Sequence, residues 1–270
     1  MAITAADVKK LRDATGAGMM DAKNALTQAD GDFDAATELL RIAGQAKMAN
    51  RADRDASNGL VAASGKTVIQ LAAETDFVAK NAEFMTLADE IAAAVDAAAP
   101  ADLAGAKTVT LPDGRTVDTA ISELAAKIGE KLELANAATF DGTVSVYLHR
   151  RSQDLPPQVG VMVEYTGGTD ELARGIAMQI AAMSPTYVTR EDVPADVIEH
   201  ERHIAELAAR EDGKPEKIIP RIVDGRIADF YKDVCLVDQA SVSQDKLSVG
   251  QLLKNSGVTV TRFVRFSVGA

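Results

Sequence analysis

The spacing of apolar positions changes along this chain, and each change predicts a different kind of element. Through residues 4–45 the spacing is helical. Thr4-Ala5-Ala6-Asp7 has the form of a capping box, Val8 and Leu11 follow on one face, and Gly16 marks a stop. Residues 19–26 make a second short helix that ends near Asp30-Gly31. Asp32 can cap a third, in which Phe33, Ala36, Leu40 and Ala43 share a face. The pattern then fades into a charged, polar stretch over residues 47–59, which reads as a linker.

After Gly59 the period shortens toward two. Residues 60–63 and 67–73 predict a β-hairpin turned at Ser64-Gly65. Phe84, Leu87, Ile91 and Val95 then line one face of a helix. Residues 108–111 and 115–117 flank Pro112-Asp113-Gly114 and predict a second small hairpin. Ile121, Leu124 and Ile128 mark another helix. Residues 132–140 and 143–149 are strand-like, with Asp141-Gly142 as the tight turn of a further hairpin. A strand over 159–165 and a helix carrying Leu172, Ile176, Ile180 and Met183 come next, stopped at Ser184-Pro185.

Residues 190–235 break this alternation. Val197, Ile204 and Ala208, a stop at Gly213-Lys214-Pro215, and then Ile219, Ile222, Ile227, Phe230 and Val234 predict two antiparallel helices. Pro220 either kinks the second helix or marks its true start. Residues 248–255 predict a short helix, and Val258, Val260, Val264, Phe266 and Val268 alternate along a closing strand. The class is therefore α+β: a helical head, a core of small sheets and helices, an inserted helical hairpin, and a last core strand.

Composition narrows the partners. The chain has 270 residues, room for one large domain or two to three small ones. Lys and Arg total 29 against 40 Asp and Glu, a net charge of -11, which argues against a phosphate backbone as the main partner. The same charge suits a basic protein surface, toward which opposite fields speed encounter. The single cysteine, Cys235, has no internal disulfide partner and fits a reducing cytoplasm. The opening residues lack the apolar stretch of a signal peptide, and no run reaches the roughly 18 apolar residues of a membrane span. A soluble, cytoplasmic protein is expected, with neither membrane nor nucleic acid as a direct partner.

Candidate chemistry is sparse. Residues 59–67 nearly spell a phosphate loop, but the spacing holds one residue too many and a strand-like run follows Lys66, where the motif needs a helix. His200 and His203 are three apart, not the four of a zinc helix, with no third ligand evident nearby. Cys235 reads as a packed thiol, and no Ser/His/Asp constellation stands out. No enzyme, cofactor or metal is expected. Two features remain. Met19 and Met20 follow the Gly16-Ala17-Gly18 loop, where flexible thioethers suit adaptable contacts as well as core filling. Phe77, one of seven phenylalanines, sits beside Asp76 where an apolar run has just ended. By position alone it reads as a helix-entry staple buried in its own core.

Residues 11–26, LRDATGAGMMDAKNAL, and residues 74–80, ETDFVAK, together resemble the elongation factor Ts family, the guanine-nucleotide exchange factors of elongation factor Tu. The resemblance runs from about residue 4 to the strand at 262–266. It implies a three-helix head similar to ubiquitin-associated domains, a two-part α+β core with small antiparallel sheets, and a coiled-coil hairpin. The expected boundaries are 1–55 for head and linker, 56–140 for the first part of the core, 141–189 and 236–270 for the second, and 190–235 for the hairpin. It also implies that Asp76 and Phe77, flanked by Val78 and Ala79, enter the partner's GTPase domain and displace magnesium, so that GDP leaves. Arg12, Met19, Met20 and His149 would face the same domain. Elongation factor Tu, GDP-bound or nucleotide-free, becomes the expected partner, and the hairpin leaves room for a homodimer. Four departures stand beside this: Ala72-Ala73 replaces a more polar pair often found there in relatives; the sequence stops at Gly269-Ala270, so the further C-terminal helix of some members is expected to be absent; the loop over 150–157 is longer than in many relatives; and Pro220 makes the shape of the hairpin an open point. The alternative is a non-catalytic adaptor whose head alone recognises ubiquitin-like or other folded partners.

Overall fold

The computed structural model describes residues 3–49 and 53–269. The head consists of α1 (Ala5–Thr15), α2 (Met19–Gln28) and α3 (Phe33–Ala49). Thr4 and Asp7 form the expected capping box, with the Thr4 amide 3.0 Å from the Asp7 carboxylate and the Asp7 amide 3.2 Å from Thr4 Oγ1. These bonds, from the Thr4 side chain first, hold the Asp7 carboxyl below the usual carboxylate range. Asp32 caps α3 through the Ala35 amide. Val8, Leu11, Ala22, Ala25, Leu26 and Ala36 are buried together, with Phe33 and Leu40 packed against them. The expected linker is shorter than its polarity implies: residues 47–49 continue α3, and β1 begins at Asn58. Residues 50–52 of that linker lie outside the described residues.

The first sheet is antiparallel, in the order β1 (Asn58–Ser64), β2 (Thr67–Ala73), β3 (Leu132–Thr139). Between β2 and β3 run α4 (Asp76–Ala79), α5 (Ala82–Ala98), α6 (Leu103–Thr108) and α7 (Val117–Ile128). Phe84, Leu87, Ile91 and Val95 of α5 and Ile121 and Leu124 of α7 are buried with Ile69, Leu71 and Leu134 of the sheet. The small hairpin expected over 108–117 is reduced to one bridge, between Thr110 and Thr116. Helix caps claim its flanks. Asp102 accepts the Gly105 amide and starts α6, while Thr116 accepts the Thr119 amide and starts α7.

The second sheet has the order β4 (Thr143–His149), β5 (Val159–Thr166), β6 (Thr259–Ser267). This corrects the expected hairpin at Asp141-Gly142, because β3 and β4 belong to different sheets. The turn residues are held elsewhere. The Gly142 amide donates to Glu164 Oε1 at 2.9 Å, and Arg262 donates to Glu164 Oε2 at 2.9 Å while lying 4.2 Å over the Phe140 ring. The Arg262 hydrogen bond, helped by Gly142 and Thr261, draws the Glu164 carboxyl down to about 2. Local turn chemistry is thus overridden by a non-local anion.

α8 (Asp170–Met183) follows β5, and the helical hairpin comprises α9 (Ala195–Glu211) and α10 (Ile219–Val234). Pro220 lies in the first turn of α10, where its missing amide costs nothing, so it starts that helix and does not kink it. The seam differs from the expected one. Ala205 and Ala209, not Ile204 and Ala208, are the buried residues of α9, facing Ile219, Val223 and Ile227 of α10. α11 (Val249–Ser256) precedes β6. Cys235 is buried and its thiol 3.5 Å from the Thr189 carbonyl; burial pushes its pKa up to about 11, the opposite of an activated nucleophile.

By contacts the chain divides into two units, Met1–Thr139 with Leu148–Val159 and Phe266–Ala270, and Phe140–Tyr147 with Gly160–Arg265. The helical head falls in the same unit as the first sheet. No described helix is long and apolar enough to cross a membrane.

Candidate functional site

The apolar run of β2 ends at Ala73, and the next two residues are tied to distant parts of the chain. Glu74 offers its carbonyl to the Asn58 side chain at 2.9 Å, and its carboxylate receives the Lys131 amide and pairs with Arg54 at 3.2 Å. Thr75 is extended, at φ -127° and ψ 157°, and caps α4 by accepting the Val78 amide on Oγ1. Its own amide and hydroxyl both donate to Glu130, at 3.1 and 2.8 Å.

α4 is a single turn with two inward residues, Val78 and Ala79, which are 6% and 1% exposed. Phe77 lies on the other side and is 79% exposed, which overturns the staple expected from position alone. Asp76, half-buried, pairs with Lys80 at 3.4 Å. A new cap then interrupts the helix, because Asn81 Oδ1 accepts the Glu83 and Phe84 amides. Phe77 and Phe84 are seven apart and would share one face of an unbroken helix. The break at Lys80-Asn81 separates them: Phe84 is fully buried and Phe77 stands in water. Leaving a phenylalanine outside forgoes about 2 kcal/mol of burial. The arrangement therefore leaves an aromatic ring exposed on a turn whose other face is seated in the core.

The head brings three further candidates to one turn. Arg12 lies in the last turn of α1 and accepts the Gly16 amide on its carbonyl; Met19 and Met20 open α2 and are 47% and 65% exposed. Gly16 needs its glycine twice over. It has φ +69°, and a Cβ there would strike the stem of Lys127 on α7. Lys127 in turn reaches Glu83 in the first turn of α5, with both oxygens at 2.7 Å. His149, the remaining candidate, is exposed at the end of β4, where its carbonyl accepts the Gln158 amide.

The phosphate-loop resemblance does not hold in three dimensions. Residues 59–67 form the β1–β2 hairpin, and the turn is occupied by an anion of the protein's own: Asp96 Oδ1 accepts the Lys66 amide at 2.8 Å and lies where a Gly65 side chain would go. A phosphate would meet a carboxylate instead of converging amides. Missed by sequence reasoning were the tethers that Glu74 and Glu130 make at the start of the Phe77 segment. Glu130 lies 55 residues from Thr75, and local periodicity carries no signal for such a pair.

A family profile described as Elongation factor TS matches residues 74–270. The chain is 63% identical over 269 residues to Elongation factor Ts of Cutibacterium acnes, covering 100% of both chains. It is 59% identical over 266 residues to that of Mycolicibacterium vanbaalenii and 58% over 266 residues to that of Mycobacterium tuberculosis, covering 98% of both chains in each case.

Proposed function

The chain belongs to the elongation factor Ts family, a family of translation elongation factors, and from that premise we propose that it binds elongation factor Tu carrying GDP and promotes release of the nucleotide. The observation that carries the proposal is Phe77, 79% exposed on a one-turn helix whose other face is buried. Pressed between packed helices of a GTPase domain, such a ring moves them, because close-packed interiors scarcely compress. Asp76 accompanies it, and Val78 and Ala79 seat it. The shift dislodges the partner's magnesium, and with it much of the charge neutralisation that holds the diphosphate.

Arg12, Met19 and Met20 on the head and His149 on the core are assigned to the same GTPase domain. The hairpin is the surface assigned to a second copy of the chain. Linkage makes the effect reciprocal: whatever weakens GDP on the partner is weakened by GDP in return, so GTP rebinding frees the factor. No acid, base or nucleophile is needed, and the protein acts without being an enzyme.

The test is GDP release from the cognate elongation factor Tu by stopped flow. Wild-type protein should accelerate release strongly, and Asp76→Ala/Phe77→Ala should lose most of that acceleration, on the order of 100-fold if the wedge supplies the strain. Equal acceleration by both would move the mechanism away from α4.

A further inference from the structure

A four-residue helix does not define its own direction. One turn is unstable by itself, since nucleation fixes several dihedrals for a single hydrogen bond. The direction in which α4 points Phe77 must therefore come from outside it. Val78 and Ala79 fix how deeply the turn sits. They also fix which face turns inward, but two small side chains leave the finer angle of a single turn to its cap.

The finer angle is set at the N-cap. Glu130 follows Gly129, the left-handed residue that ends α7, and spends both carboxylate oxygens on Thr75: Oε2 on the amide at 3.1 Å and Oε1 on the hydroxyl at 2.8 Å. With its proton committed to Glu130, Thr75 Oγ1 turns a lone pair to the Val78 amide at 3.4 Å. A line of hydrogen bonds thus runs from Glu130 through Thr75 into the turn that carries the ring. The same α7 terminus holds the far side, where Lys127 grips Glu83 in the first turn of α5. The two struts are unequal. Lys127 and Glu83 are about half exposed, and such pairs are screened. Glu130 is half-buried and makes two charge-assisted bonds in fixed geometry.

We propose that Glu130 is a positioning residue for Phe77, setting through Thr75 the angle at which the ring enters the partner, so that it governs the release step and not the affinity of docking. This rests on the exchange function proposed above.

The experiment is release of fluorescent GDP from elongation factor Tu, followed by stopped flow over a range of factor concentrations. Both the saturating rate and the half-saturating concentration are read. Glu130→Ala should lower the saturating rate about tenfold, the equivalent of one charged hydrogen bond, with half-saturation moved by about twofold or less. Glu130→Gln, which keeps one acceptor, should recover part of the loss, and Lys127→Met should stay within about twofold of wild type. Thr75→Val removes the hydroxyl link to Glu130 together with the Val78 cap but keeps the amide link, and it should lower the saturating rate with half-saturation unmoved, which covers the case in which the glutamate variant folds poorly.

A loss confined to half-saturation would mean that Glu130 only stabilises the fold, and would overturn the proposal. So would a wild-type saturating rate in Glu130→Ala alongside a lost one in Phe77→Ala, with the exchange function left standing. No acceleration by wild-type protein would overturn both together.

Discussion

Phe77 on α4 and Ile204 on α9 are both large apolar side chains left in water, yet the segments that carry them are built in opposite ways. The α4 turn is short, and beside its own cap and the Asp76–Lys80 pair it is fixed by bonds from distant sequence: Asn58 and Lys131 on Glu74, Glu130 on Thr75. The hairpin of α9 and α10 is long and fixed mostly by itself. Its seam is Ala205 and Ala209 against Ile219, Val223 and Ile227, and its ion pairs, Arg202 with Asp224 and Arg210 with Glu206 and Glu216, are exposed. Ile204 and Leu207 are 44% and 50% exposed because the two alanines between and beyond them take the seam. Exposure of an apolar group therefore has two origins here. On α9 it follows from which face packs best, and on α4 it is accompanied by bonds that reach in from β1 and from the end of α7.

The sharpest way to break this contrast is a pair of phenylalanine truncations. Phe84→Ala should destabilise the protein by about 3–5 kcal/mol, because it empties a fully buried site, whereas Phe77→Ala should change stability by about 0.5 kcal/mol or less. Denaturant unfolding of the two variants compares them directly. Similar losses would mean that Phe77 contributes to its own core after all.

A smaller effect sharpens the other half. Ala209→Leu adds bulk to the close seam of the hairpin and should cost about 1–3 kcal/mol, with loss of helical signal from that segment. Leu207→Gln, on the exposed face, should stay within about 0.5 kcal/mol by the same assay. A large loss at Leu207 would show that the outer face packs against something in the free protein.

These elements also mark how far the chain could be read before its structure. The Thr4–Asp7 box and the helix of Phe84 to Val95 were legible because caps and periodicity are local, whereas Pro220 left a kink or a helix start open until α10 was seen to begin there. The parting of β3 from β4 was not legible, since Asp141-Gly142 is a good hairpin turn by composition and only Glu164 and Arg262 decide otherwise. The seam of α9 was misjudged because hydrophobicity favours Ile204, whereas close helix approach favours Ala205. At the candidate site, Asp76 and Phe77 stand out in the sequence, since an aromatic beside an aspartate at the end of an apolar run is conspicuous. Whether Phe77 points in or out was not legible, because that depends on the break at Lys80-Asn81 and on Glu130.

The central claim is that Phe77 leaves water when the partner docks. The chain contains no tryptophan, so Phe77→Trp introduces a single indole at that position. In the free protein its emission should be that of a solvated indole. On addition of nucleotide-free elongation factor Tu, after subtracting the same titration with wild-type protein, the emission should shift to the blue as the ring enters an apolar site. An indole that stays solvated in a complex formed at full stoichiometry would contradict the account.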